Sequence, residues 1–85
     1  MPYQIIIKKS ASKQILSLPK NVKDAIFFHI FELEEDPRPT GCKKLKGSDE
    51  YWRIRVGDYR IIYSIFDVVL TIEVIRVSHR KDAYK

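Results

Sequence analysis

The chain has one cysteine, one methionine, one tryptophan, two histidines and three glycines among its 85 residues. The scarcity of cysteine, histidine and glycine removes whole classes of function. With Cys42 alone, no intramolecular disulfide forms, and no Cys/His set has the spacing of a zinc site, so a reducing, cytoplasmic compartment fits best and no metal or other cofactor is expected. Three scattered glycines do not make a Gly-rich phosphate loop. Met1-Pro2-Tyr3-Gln4 leads into a run of only three isoleucines, far short of a signal-peptide core or of the roughly 20 apolar residues of a membrane span. The chain is therefore expected to be neither secreted nor membrane-embedded. Internal repeats and low-complexity segments are absent, and 85 residues leave room for one modest core and one domain, 1–85.

What is abundant is positive charge. Sixteen Lys and Arg against eleven Asp and Glu give a formal net charge of +5 and a pI near 9.4, which favours an anionic partner, either nucleic acid or an acidic protein. Hydrophobic residues at 45% and charged residues at 32% are an ordinary globular balance.

The cationic residues concentrate in Tyr51-Trp52-Arg53-Ile54-Arg55-Val56-Gly57-Asp58-Tyr59-Arg60-Ile61-Ile62-Tyr63. Gly57-Asp58 between two alternating runs predicts a two-residue hairpin loop with Gly at the first central position of a type II′ turn. Val56 then faces Tyr59, Arg55 faces Arg60, Ile54 faces Ile61, Arg53 faces Ile62 and Trp52 faces Tyr63. Alternation places Trp52, Ile54, Val56, Tyr59, Ile61 and Tyr63 on an apolar face and Arg53, Arg55 and Arg60 on the other, where Tyr51 joins them. Two arginines directly opposed across a ladder repel. Stability alone favours Glu or Thr there, so the pair points to a phosphate-binding role.

Around the hairpin, Tyr3 to Lys8 predicts a first strand. Ser10 offers an N-cap to a short helix carrying Ala11, Ile15 and Leu18. A second helix is predicted from Pro19 or Lys20 to Glu35, with Val22, Ile26, Ile30 and Leu33 on one stripe and Pro37 as its stop. Phe27, Phe28 and Phe31 widen its apolar arc, and burial is the expectation for them; His29, on the same helix, is expected to be structural. Lys43-Lys44-Leu45-Lys46-Gly47 forms a short strand or a basic loop. The hairpin's second strand runs to Phe66, Asp67-Val68 serves as the next turn, and Val69 to Val77 returns as a third strand, with Phe66 facing Val69, Ile61 facing Val74 and Arg60 facing Ile75. Ser78, His79 and Arg80 then lie at the arginine end of the hairpin. The fold class is α+β, in the order β-α-α-β-β-β(-β), a mainly antiparallel twisted sheet with two N-terminal helices on one face.

This order resembles the RelE/ParE superfamily of small bacterial and archaeal toxins. The resemblance is carried by Ile5 to Lys13 running into Gln14-Ile15-Leu16-Ser17-Leu18-Pro19, by Leu45-Lys46-Gly47, by the hairpin with its Arg-Val-Gly-Asp-Tyr-Arg segment, and by Val77-Ser78-His79-Arg80-Lys81-Asp82-Ala83-Tyr84. It implies a toxin held inactive by a cognate RelB-like antitoxin. In the RelE branch it implies an endonuclease that cuts mRNA in the ribosomal A site. The family's catalytic arginine corresponds to Arg60, the arginine after the last strand to Arg80, and the C-terminal tyrosine to Tyr84. Family lysines correspond to Arg53 and Arg55, a departure that bears on mechanism: arginine, with a pKa above about 12, holds phosphate but is a poor proton acceptor.

Metal-independent cleavage needs a base for the 2′-hydroxyl, cations for the phosphorane and an acid for the departing 5′-oxygen, and it leaves a 2′,3′-cyclic phosphate. Arg60, Arg80 and Arg55 suit the second task. For proton transfer the candidates are Tyr84, then His79, then Glu50, since some relatives pair Glu with His. Tyr51 and Tyr84 can stack a base, and Lys43, Lys44 and Lys46 can touch RNA backbone. The alternatives are a ParE-like poison of DNA gyrase and a catalytically decayed binding module. Operator DNA is expected as a ligand only of the toxin–antitoxin complex.

Overall fold

A computed structural model of the chain describes residues 2–45 and 50–81. The elements are β1 (Gln4–Ile7), α1 (Lys9–Leu16), α2 (Lys20–Glu32), β2 (Lys43–Lys44), β3 (Tyr51–Val56), β4 (Tyr59–Phe66) and β5 (Thr71–His79). Both helices are where their apolar spacing puts them, with adjusted ends. The residue before α1 is Lys8, not Ser10, and it makes no side-chain cap. α2 follows Pro19 and ends at Glu32, beyond which Leu33, Glu34 and Glu35 donate backbone hydrogen bonds to Ile30, Phe31 and Glu32 in tighter i to i−3 turns.

The sheet order is β1-β5-β4-β3-β2. β1 runs parallel to β5, and every other neighbour is antiparallel. Ala11 and Ile15 of α1 and Ile26, Ile30 and Leu33 at the end of α2 meet Ile54, Val56, Ile61, Tyr63, Ile72, Val74 and Val77 in one core. The helices thus cover one face of the sheet, and Trp52 and Tyr59 pack at the margin of that core. Tyr63 is fully buried and donates from its hydroxyl to the Pro37 carbonyl at 2.8 Å. Burial, first of all, pushes its phenol well above the ordinary tyrosine range, so it stays a donor.

The expected burial fails for two phenylalanines of α2. Phe28 and Phe31 are 61% and 51% exposed, because the row Ile26, Ile30, Leu33 already saturates the side of the helix that meets the sheet. His29 lies outside the core as well, its Nδ1 3.8 Å from Glu32 Oε1.

The β3–β4 hairpin has the expected register at every pair from Tyr51↔Ser64 to Val56↔Tyr59. Gly57 takes φ +59, as the first central position of a type II′ turn requires. The β4–β5 connection differs. A two-residue Asp67-Val68 loop of the kind that suits a hairpin would force a β-branched or acidic residue to positive φ. Instead the loop spans Asp67 to Leu70, with Leu70 at φ +48 and its N–H donating to the Asp67 carbonyl. Asp67 is held from both sides, accepting from the Tyr3 hydroxyl at 2.6 Å and from Arg38 Nη2 at 2.9 Å. Phe66 therefore faces Thr71, not Val69, and Tyr63 faces Val74.

A second irregularity follows at once. Tyr63 pairs with Val74 but Ile62 pairs with Arg76, so Ile75 is an extra residue, a β-bulge. Ile61 consequently faces Val77 and Arg60 faces Ser78, where uninterrupted pairing was expected to give Val74 and Ile75.

Candidate functional site

The sheet face away from the helices can be read as rows of cross-strand neighbours. The first row is Arg55 on β3, Arg60 on β4 and Ser78 on β5. The second is Lys43 on β2, Arg53 on β3, Ile62 on β4 and Arg76 on β5. The third is Tyr51, Ser64, Glu73 and Ile6. Five cationic side chains thus originate in two adjacent rows that contain no carboxylate, and rows lie about 7 Å apart because strands rise about 3.3 Å per residue. Ile62, in the middle of the second row, is only 9% exposed although it stands on the face away from the core. Long arginine stems on either side of it, from Arg53 and Arg76, suit the covering of such a residue.

Arg60 is the centre of this arrangement. Its Nε is buried and has no hydrogen-bond partner among the described residues. A buried donor left unsatisfied costs about 1–3 kcal/mol, and the facing Arg55 adds repulsion. Arg60 thus combines two unfavourable features at one side chain, an unsatisfied donor and an opposed like charge.

Arg80 reaches the same end of the sheet. Its backbone N–H donates to the Asp58 carbonyl at 2.7 Å, tying the chain after β5 to the hairpin turn. Its Nε lies 3.6 Å from Asp58 Oδ1, with both side chains more than half exposed, so this is a weak, exchangeable pairing.

The remaining candidates are distributed differently. His79 pairs with Tyr59 and so belongs, by alternation, to the helix-side face, opposite to Arg60. Its ring meets Tyr59 edge-on at 5.1 Å, and its Nδ1 accepts from the Lys81 N–H. Glu50 precedes Tyr51 and lies at the far end of β3 from Arg55, about 16 Å away at the rise of a strand. The structure does not bring either side chain onto Arg60. Tyr51 shares the arginine face but stands in the third row. Lys43 joins the cationic face, whereas Lys44 pairs with Trp52 and puts its Nζ 5.9 Å from that ring, near Arg38 at 5.1 Å. Lys46 and Tyr84 lie outside the described residues. Arg76 is the residue that sequence reasoning missed. The signal was present: buried Ile72 and Val74 are followed by buried Val77 at a spacing of three, not two, which requires a phase slip in the strand.

Among the described residues no cluster of His, Cys, Asp and Glu is suited to a metal ion, and no helix is long and apolar enough to cross a membrane.

The family described as the ParE toxin of the type II toxin–antitoxin system parDE matches residues 5–84. The chain belongs to the RelE/ParE toxin superfamily. Within it, the chain resembles the putative toxin RelE1 of Methanocaldococcus jannaschii, with 34% identity covering 100% of this chain and 98% of that protein. It is also similar to toxin RelG of Mycobacterium tuberculosis, with 29% identity over 100% of this chain and 99% of that one. The archaeal RelE–RelB complex from Pyrococcus horikoshii contains a chain that superimposes with a TM-score of 0.84 at 32% identity, covering 94% of this chain and 97% of that one. The protein is thus a RelE-type toxin of a type II toxin–antitoxin system, and the α+β fold expected from sequence is the RelE fold.

Proposed function

We propose that this RelE-type toxin is a ribosome-dependent mRNA endonuclease that cleaves message in the A site and so inhibits translation. The observation that carries the reading is Arg60, its Nε buried without a partner among the described residues, in a face built from Arg53, Arg55, Arg60 and Arg76. In the reaction a base removes the proton of the ribose 2′-hydroxyl and the alkoxide attacks the adjacent phosphorus. The bond to the 5′-oxygen breaks, and that oxygen leaves with a proton, giving a 2′,3′-cyclic phosphate and a 5′-hydroxyl end. Charge accumulates on the phosphorane oxygens. Arg60 and Arg55 stabilise it, with Arg80 released from Asp58. No metal is needed because the guanidinium groups supply the positive charge.

Proton transfer falls first to Tyr84, then to His79, then to Glu50. The latter two require rearrangement, His79 because it stands on the opposite face and Glu50 because of its distance. A site rich in cations and poor in bases depends on its substrate being held in a reactive geometry, which the ribosome provides. Tyr51 and Tyr84 stack bases, and Lys43, Lys44 and Lys46 hold backbone phosphates, Lys44 from the face opposite to the arginines. The toxin acts in the cytoplasm, where a RelB-like antitoxin covers it, using the exposed Phe28 and Phe31 and acidic side chains directed at the arginines. The resulting complex, not the free toxin, binds operator DNA.

The test is primer extension on a defined message in programmed ribosomes. Wild-type toxin produces cuts, and Arg60→Ala and Arg80→Ala each reduce them on the order of 10²–10³-fold, the usual cost of losing a transition-state donor. Full cutting by both variants rejects the assignment. A second reading, a ParE-like poison of DNA gyrase, is favoured by the family description itself; it gives gyrase-dependent DNA breaks with intact message in the same induced cells.

A further inference from the structure

The bulge in β5 has a specific effect on one side chain. If pairing continued without interruption from Tyr63↔Val74, Ile62 would face Ile75, Ile61 would face Arg76 and Arg60 would face Val77. A guanidinium would then enter the core opposite Ile61, and a valine would sit beside Arg60. The extra residue Ile75 reverses both placements. Val77 turns inward, 3% exposed, and Arg76 turns onto the arginine face in the row of Arg53 and Ile62. Bulges re-aim single side chains in this way beside functional sites.

We infer that Arg76 is an RNA-phosphate-binding residue of this face, holding the backbone on the β5 side of Arg60. The inference rests on the RNA-cleaving reading above and deepens it by adding a second side to the substrate track. Arg60 on the central strand has Arg55 opposite it on β3, and Arg76 stands diagonal to it on β5, with Cα atoms about 7–8 Å apart as diagonal neighbours are. The β5 neighbour directly opposite Arg60 is Ser78, small and buried, so no large side chain occupies that position of the row. Arg76 is exposed and has no ion pair among the described residues. The only carboxylate on this face of the same strand, Glu73, stands in the next row and does not pair with it. A free cation placed by a bulge, beside an arginine whose Nε is unsatisfied among the described residues, extends the anion-binding surface across three strands.

The contact is to the ground-state backbone, away from the reacting phosphorus, so its loss raises KM and leaves kcat nearly unchanged. Two measurements test this on the intact toxin: cleavage kinetics on programmed ribosomes, and binding of a short 2′-O-methylated single-stranded RNA across a salt series. In Arg76→Ala, KM rises roughly tenfold and the slope of log K against log salt becomes shallower by about 0.7, the loss of one phosphate contact on a single strand. Arg76→Lys keeps the slope. Arg76→Gln, which retains the stem and therefore the cover over Ile62, behaves like Arg76→Ala and excludes unfolding as the cause. Lys20→Ala, which removes one charge from the helix layer, leaves the slope as in wild type. Wild-type cleavage with unchanged KM and slope in both Arg76→Ala and Arg76→Gln overturns the role of Arg76 alone. Wild-type toxin that neither cuts message nor binds the RNA in a salt-dependent manner overturns the RNA reading and this inference together.

Discussion

Replacing Arg60 by methionine is expected to make the protein more stable while destroying its activity. The substitution keeps an unbranched stem of similar reach and removes the guanidinium. Two penalties disappear with it. The first is the buried Nε with no partner among the described residues, worth about 1–3 kcal/mol for an unsatisfied donor. The second is the direct opposition of Arg55 and Arg60, worth about 0.2–1 kcal/mol for a cross-strand pair. Against these stands the lost hydration of the rest of the guanidinium, so the net gain should be about 1–2 kcal/mol. For a domain of this size each kcal/mol moves Tm by about 4–8 °C. Thermal and urea unfolding of the free toxin measures it, with equal urea slopes confirming that the two unfolded states are comparable. Ionic strength separates the two contributions: the repulsion between arginines is screened at high salt, whereas the buried donor is not. The gain should therefore shrink with salt without vanishing. Arg60→Met melting at or below the wild-type temperature would refute the claim that this side chain is held in place at a cost to the fold.

Two further perturbations probe the frame around the site. Gly57→Ala should destabilise the protein by about 1–2 kcal/mol, because φ +59 is the whole obstacle: a Cβ built there meets no atom within 4 Å. Urea midpoints measure it, and a fall in cleavage beyond the fall in stability would show that the turn also positions Arg60 and Arg80. Asp67 is held below the ordinary carboxylate range by hydrogen bonds first from Arg38 and then from Tyr3. A depressed folded-state pKa contributes stability that is full above the unfolded value of about 3.9 and is lost as pH falls through the folded value. The stability gap between wild type and Asp67→Asn should accordingly be open at pH 6 and close as pH drops below about 4; a gap that persists undiminished at pH 2 contradicts the pairing.

The parts of the fold legible in the sequence are those fixed by local chemistry. Gly57-Asp58 sets the hairpin register because few residue pairs accept a type II′ turn, and once that register is set the face of Arg53, Arg55 and Arg60 follows by alternation. The β4–β5 pairing was not legible in the same way. Its loop is stabilised by Asp67 accepting from Tyr3 and Arg38, residues 64 and 29 positions away, so no local turn signal announces it. The loop error shifts the register by two residues and leaves the faces unchanged; the bulge at Ile75 is what moves Arg76 onto the arginine face and His79 off it. The exposure of Phe28 and Phe31 was hidden for a different reason: the sequence shows that the helix carries a wide apolar arc, but not how much of it the sheet can cover. The solvent shielding of Arg60 Nε is visible only in coordinates, because alternation places the side chain on a face without saying how deeply its stem is covered.

One feature of the topology bears on how such a toxin comes into being. β1 has a single neighbour in the sheet, the parallel partner β5, and Ile5 and Ile7 are paired with Ile72 and Val74. Pairings of such long sequence separation form late. During synthesis the first strand has no sheet partner until nearly the whole polypeptide has left the ribosome, and Arg76, Ser78 and Arg80 arrive on that same last strand or just after it. Completion of the sheet and completion of the cationic face are one event. A chain interrupted before residue 71 is unfinished at both, so the strand order builds a delay between translation of the toxin and completion of its cationic face.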